Sequence, residues 1–299
     1  MSRIVHAKPA KHSSESAAGT GFWRLITVPG SAWLLLLYVV PLLLLVTVAF
    51  TTADLVGRPQ WGSFSLESFG ELFTPIYLPV MGRTFVYSLV VAAVCLLAGY
   101  VVAYTISRYG GRFKLLLIVA VLLPWLVDYL IRIYAWLQIL GSDGLLAQGL
   151  GALGTAGSTV NLLGTDAAVV IGLVYNVLPF MVLPIYVAIE SVDRRLEEAC
   201  RDLNGTAWDA FVHVTLPASV PGIASGVTIT FLITFGDFAT ARILGGPDQY
   251  MLGNLVQDQF SGLGAMPFGG AVTLCVLVVI LVVLGVFTRI SREAERRLS

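Results

Sequence analysis

The sequence predicts an all-α, polytopic membrane protein with about six transmembrane helices and both termini in the cytoplasm. Three observations carry this. Hydrophobic residues fill 57% of the 299 positions and charged residues 12%, against about 25% charged residues in a soluble globular chain; mean hydropathy is +0.85. Six stretches approach the ~20 mostly apolar residues that cross ~30 Å of hydrocarbon: Ala32–Phe50, Thr84–Ile106, Leu115–Leu140, Ala167–Ile189, Gly222–Thr240 and Gly269–Ile290. Lys and Arg, finally, cluster between alternate stretches.

Taken in order, the first stretch has an apolar run too long for the h-region of a signal peptide and no convincing small-residue cleavage site after it. The third is interrupted by Asp128 and Arg132. With the N-terminus inside, one side collects Arg3, Lys8, Lys11 and Arg24, then Arg108, Arg112 and Lys114, then Arg194, Arg195 and Arg201, then Arg289, Arg292, Arg296 and Arg297. The other side has Arg58, Arg83 and Arg242, and Arg132 falls within the membrane. That asymmetry orients the chain. Residues 1–31 read as a polar N-terminal tail and residues 32–299 as a single transmembrane domain. The outer loop Thr51–Arg83 carries Trp61, Phe64 and Phe69 and is expected to pack on the outer surface. The Gly-rich segment Gly141–Gly164 has room for one short helix.

Composition also excludes. The net charge is zero, so nucleic acid is not an expected partner, since a binder shows a basic excess. Cys95, Cys200 and Cys275 have no paired spacing and no histidine cluster beside them, so neither a disulfide framework nor a metal site is read. No paired carboxylates or Ser-His-Asp set suits catalysis, so no catalytic residue is assigned and the chain is expected not to be an enzyme.

The inner loop 190–221 differs from the other connections. Asp193 is placed to cap a helix on which Leu196, Ala199, Cys200 and Leu203 share a face, with Asp193, Arg194, Glu197 and Arg201 on the solvated side. Asn204-Gly205 is a turn signal, since both tolerate positive φ. Thr206 with Asp209 starts a second helix as a capping box, carrying Trp208, Phe211, Val212 and Leu216. Pro217 and Pro221 are expected to stop it before the fifth span. Such a pair suits a docking element for a soluble partner; a solvated loop helix, or one lying on the bilayer, remains the plainer alternative.

The run Glu198-Ala199-Cys200-Arg201-Asp202-Leu203-Asn204, followed after nine residues by Val214-Thr215-Leu216-Pro217, resembles the EAA loop of ABC importer permeases. Cys200 stands for the second Ala, Val214 for Ile, and Asn204 for the family's Gly. Leu123-Pro124-Trp125, Leu130 to Trp136, Leu178 to Pro184, Gly236-Asp237-Phe238, Leu244 to Pro247 and Met251 to Leu255 are similar to the PotB-like permeases of polyamine importers. The resemblance covers roughly residues 30 to 290. It implies a six-span type I permease core in the bacterial inner membrane, a second permease subunit (PotC-like), a dimer of ABC ATPases (PotA-like) and an extracytoplasmic binding protein (PotD-like). It further implies an ATPase-coupling loop made of Glu197, Glu198, Ala199, Asp202, Leu203, Asn204, Gly205, Leu216 and Pro217. A chain that hydrolysed ATP would carry a P-loop with Lys before Ser or Thr. Lys8, Lys11 and Lys114 precede Pro, His and Leu. No cofactor is therefore expected in this chain, and ATP and Mg are expected on the partner ATPase.

Ionisable residues within spans are costly unless they face a cavity or a partner. Asp128 and Arg132 lie four apart on one helical face, with Trp125 and Trp136 expected on the same side. They read either as an internal salt bridge or as the lining of a substrate path, where carboxylates and aromatic faces attract cations. Asp237 has no positive residue within a turn and sits ~24 Å along its helix from Pro221. It reads as substrate pathway or as an interhelical hydrogen bond. Trp136 and Phe238 complete the candidate path, with Tyr129, Tyr134 and Asn176 weaker, since aromatic residues in spans more often pack or anchor at the interface. The function expected is half of the translocation pathway for polyamines such as spermidine and putrescine. An anion, which Arg132 would favour, or an amino-acid derivative is the alternative solute. An ion-coupled secondary transporter would need sites repeated in two halves, and no such symmetry is visible.

Overall fold

The computed structural model describes residues 16–152, 161–261 and 264–298. The chain comprises two units, Met1–Val48 and Ala49–Ser299. In the first, helix α1 (Ser16–Ala49) contains the apolar stretch Thr27–Ala49; residues 1–15 of the expected polar tail lie outside the described residues.

The second unit opens with a small hairpin, β1 (Thr52–Ala53) paired antiparallel with β2 (Pro59–Gln60). Here Phe64 and Phe69 pack on Phe50, with ring centroids 5.5 and 5.1 Å apart, while Trp61 stays exposed. A short helix α2 (Glu67–Leu72) leads to α3 (Leu78–Tyr109), the second span. Next come α4 (Lys114–Leu122), α5 (Tyr129–Leu140) and α6 (Leu145–Ala152), the last being the short helix expected in the Gly-rich segment. The fourth span is α7 (Asp166–Glu190). After it stand α8 (Arg194–Asp202), α9 (Ala207–Ala210) and α10 (Leu216–Phe235). The chain finishes with α11 (Ala239–Leu244), α12 (Leu252–Phe260) and α13 (Met266–Leu298). Among the described residues, five helices, or six with the bent pair counted as one span, are long and apolar enough to cross a membrane.

The third stretch is not the straight helix that its composition predicts. Gly111–Leu126 and Tyr129–Gly149 meet at 87°. Pro124 sits in a 3₁₀ turn, Leu123–Leu126, and Val127 leaves it extended at φ −71°, ψ 144°. Asp128 then starts a new helix, accepting from the backbone N–H of Leu130 and Ile131 at 3.0 and 3.3 Å. A proline that cannot donate followed by a capping aspartate ends one helix and begins the next. Trp125 and Trp136 consequently lie on different arms.

The fifth span departs in the opposite sense: Pro217 and Pro221 do not stop it. Helical structure runs unbroken over Ala207–Phe235, 29 residues. A π-helical segment, Phe211–Thr215, precedes Pro217, and its wider turn absorbs the carbonyl that the proline ring would otherwise meet. The helix ends at Gly236 rather than at Thr240, so Asp237 stands in a break before α11.

The core of this unit is α7 packed along α3 and α10, which also touch each other. Val91, Cys95, Leu173, Val177, Met181 and Ile185 are fully or almost fully buried there. Small residues let the backbones approach, as in other membrane bundles. A Cβ at Gly222 would lie 2.5 Å from Pro184 O and 2.5 Å from Ala188 Cβ. Gly222→Ala is therefore expected to cost about 1–3 kcal/mol by overpacking and to lower the thermal unfolding midpoint in detergent. Gly285→Ala, which meets nothing within 4 Å, should leave the midpoint unchanged; equal midpoints for the two variants would contradict this packing.

At the end of the bundle away from α8, Arg242 in α11 holds Asp258 in α12 through two contacts of 3.0 Å, and the Tyr250 hydroxyl donates to Asp258 at 2.5 Å. The Tyr250 hydroxyl and the Arg242 guanidinium keep the Asp258 carboxyl below the usual carboxylate range. A lowered folded-state pKa gives stability that is present above the unfolded value of about 3.9 and lost as pH falls through the folded one. Tyr250→Phe is expected to start that loss at higher pH. Hydrogen exchange of residues 239–260 against pH reads it; coincident profiles for native and variant chains would contradict it.

Candidate functional site

Two places gather polar chemistry. The first is built by α8. Its N-terminus is capped as the sequence predicts, with Arg195 N–H donating to Asp193 Oδ1 at 2.9 Å. Its end is turned by Asn204 at φ +63°, a conformation that Asn adopts more readily than other side-chain-bearing residues. Gly205 N–H then donates to Cys200 O at 3.1 Å. The second helix starts on the predicted box: Thr206 N–H donates to Asp209 Oδ2 at 2.7 Å, and Asp209 N–H to Thr206 Oγ1 at 3.2 Å.

Asp193, Arg194 and Arg201 are exposed as expected, but Glu197 and the apolar residues of α8 depart from expectation. Glu197, placed on the solvated side by patterning, is 9% exposed. Its Oε1 accepts from Arg108 Nη2 at the end of α3 and, at 2.7 Å, from the Thr215 hydroxyl in the π segment. Beside it, Glu190 accepts from Ser107 at 2.8 Å and Lys114 at 2.6 Å, and Arg194 Nη2 donates to Ser107 O at 2.9 Å. This ionic node fixes α8 to the ends of three helices and rotates the apolar residues outward. Leu196 is 57% and Leu203 84% exposed, with Ala199 and Trp208 exposed beside them. Glu198 and Asp202 are exposed too, whereas Leu216 and Pro217 are half-buried where the fifth span enters the bundle. Sequence reasoning missed Ser107, Arg108 and Thr215 as partners: no spacing rule links residues 89 positions apart.

The second place lies where the bent third span meets the break after α10. Tyr129, first residue of α5, donates its hydroxyl to Asp237 Oδ2 and lies 2.9 Å from the Thr240 hydroxyl. Thr240 donates its N–H to Asp237 Oδ1 at 2.9 Å and its hydroxyl to Oδ2 at 3.2 Å. Asp237 is thus an interhelical acceptor supplied by neutral donors, with no cation paired to it among the described residues. The Asp128–Arg132 salt bridge is not formed. Asp128 is exposed and engaged as a cap; Arg132 is buried, its guanidinium carbon 5.7 Å from the Tyr129 ring centroid and its Nε without an acceptor.

The remaining candidates scatter. Trp125 packs edge-on against Phe180 at 5.3 Å and Trp136 against Tyr175 at 5.4 Å. Tyr134 is 56% exposed, and Phe238 uses its carbonyl to accept from Asn254 Nδ2 at 2.6 Å. Further polar groups in the interior of α7 and α10 lack a partner among the described residues: both amide atoms of Asn176 and the hydroxyls of Thr230 and Thr234. Such groups call for water or a ligand.

Residues 95–296 match the family model described as "Binding-protein-dependent transport system inner membrane component". The chain is 35% identical over 267 residues to the spermidine/putrescine transport system permease protein PotB of Haemophilus influenzae, covering 89% of this chain and 93% of that protein. It is 31% identical over 273 residues to PotB of Escherichia coli, covering 91% and 98%. A solved bacterial ABC transporter involved in the import of the acidic polysaccharide alginate superposes with a TM-score of 0.78, covering 92% of this chain and 96% of that one; its 18% identity shows a shared fold. The chain belongs to the family of binding-protein-dependent transport system inner-membrane components, as a multi-pass permease of the type I ABC importer fold.

Proposed function

We propose that this chain forms half of the translocation pathway of an ATP-driven polyamine importer, with its α8 end in the cytoplasm. The observation that carries the substrate class is Asp237, a mostly enclosed carboxylate at a helix break whose donors are all neutral. A carboxylate so placed favours a cation. The likeness to proteins named for spermidine and putrescine transport supports the same solute. The partners proposed are a second permease, an ATPase dimer that holds ATP and Mg, and an extracytoplasmic binding protein.

The exposed surface of Leu196, Ala199, Leu203 and Trp208 is proposed as the face that docks on the ATPase, with Glu198 and Asp202 at its rim. Motion of the ATPases passes through α8 to α3 and α10 by way of Arg108, Glu197 and Thr215. The roles are rigid coupling and positioning. Uptake of labelled putrescine, spermidine, sulfate and maltose into proteoliposomes carrying the assembled importer tests the reading. Uptake of a polyamine is expected; uptake of sulfate alone would transfer recognition to Arg132 and overturn the cation assignment.

A further inference from the structure

A cavity of about 260 Å³ opens between the last turns of α3 and the coupling helix α8. From α3 come Tyr104, Arg108 and Tyr109; from α8 come Arg194, Arg201 and the two glutamates. Its charges do not cancel. Glu197 is neutralised by Arg108, whose side chain is only 8% exposed and whose Nε–H has no acceptor among the described residues. Arg194 uses Nη2 on Ser107 O. The Arg201 guanidinium has no ion pair or hydrogen bond among the described residues. Glu198 is then one carboxylate set against Arg194 and Arg201.

Arg201 is exposed and lines the cavity, so its guanidinium is open to an acceptor there. Arginine forks match the oxygens of a phosphate in pairs. The wall opposite is aromatic, with Tyr104 and Tyr109 edge to face at 6.4 Å and Tyr109 78% exposed. Tyrosine with arginine at the end of a span is the composition of a membrane–water interface. Basic pockets between spans on the cytoplasmic side suit lipid phosphates, and the orientation is the one proposed above.

We propose that this cavity binds a phosphate group, from an anionic lipid headgroup or from free phosphate, and that the bound phosphate bridges α3 and α8. The transported solute does not enter this proposal, so it stands or falls separately from polyamine transport. The full chain is released from nanodiscs of mixed phosphatidylcholine and phosphatidylglycerol, and native mass spectrometry counts the retained lipid, with and without millimolar inorganic phosphate. One phosphatidylglycerol kept in preference to phosphatidylcholine is expected. Its persistence in phosphate identifies the lipid as the source; its displacement identifies free phosphate as a competent ligand, and either supports the site. Arg201→Gln and Arg194→Gln should each weaken retention about tenfold, the loss of one charge-assisted hydrogen bond. Two variants are used so that misfolding of one leaves the other informative. Arg195→Gln removes the same charge from α8 outside the cavity and should retain lipid as the native chain does. No preference for phosphatidylglycerol, native-like retention in both cavity variants, or equal loss in Arg195→Gln would overturn the proposal.

Discussion

Glu197→Ala is expected to destabilise the α8 end of the bundle and to abolish coupling to the ATPase. Glu197 is the shared acceptor of Arg108 and Thr215 and is almost wholly enclosed. Its truncation leaves the Arg108 guanidinium buried without a counter-charge, and breaking a buried pair from one side costs about 3–5 kcal/mol. Removing both charges should cost less than the sum of the two single truncations, because no orphaned ion remains. Glu198→Ala is the contrasting case. That side chain is exposed, so stability should stay within about 0.5 kcal/mol while substrate-stimulated ATP hydrolysis by the assembled importer falls. Thermal unfolding of the four variants separates the roles. If Glu197→Ala melts no lower than Glu198→Ala, the node does not carry α8.

Asp237→Asn is expected to weaken polyamine transport while preserving the fold. The amide oxygen can take the place of Oδ1 and accept from the Thr240 N–H, while the amide NH2 in the place of Oδ2 donates to the Tyr129 and Thr240 hydroxyls with their roles reversed, so the break between α10 and α11 keeps hydrogen-bonded partners. What is lost is charge: a hydrogen bond to a charged group is worth about 1.5–3 kcal/mol, or roughly ten- to a hundredfold in affinity. Tyr129→Phe removes one neutral donor and should cost nearer ~1 kcal/mol. Concentration dependence of labelled putrescine uptake reads both. Native-like uptake by Asp237→Asn would make Asp237 an interhelical hydrogen-bond acceptor and nothing more.

Hydrophobic length and local capping chemistry made most of the fold legible. Apolar length places the fourth span within one residue at each end of Asp166–Glu190, because twenty-odd apolar residues leave few alternatives. The caps at Asp193 and Thr206 and the left-handed Asn204 were readable because each depends on neighbours within four positions. The failures have a common origin in competition between local rules. Pro124 breaks its helix and Pro217 does not, since one precedes an extended residue with a strong cap and the other follows a π segment. Neither outcome is visible in a proline alone.

The candidate sites were less legible, for the same reason at longer range. Asp128 and Arg132 share helical spacing, yet Asp128 is drawn to the free N–H groups of α5 and the ion pair never forms. Glu197 looked solvated because its partners, Arg108 and Thr215, come from other helices. Asp237 stands out in the sequence as a carboxylate with no cation within a turn, but its partner Tyr129 lies 108 positions away. Charge in an apolar segment marks a place of interest; only the fold says what it meets.

The most direct test is ATP hydrolysis by the complex that co-purifies with this chain, reconstituted with its binding protein and offered putrescine or spermidine. The proposed function predicts an associated ATPase stimulated by a polyamine, with the stimulation lost in Asp237→Asn. Stimulation by sulfate or maltose in place of polyamines, or a chain that purifies with no ATPase, would contradict it.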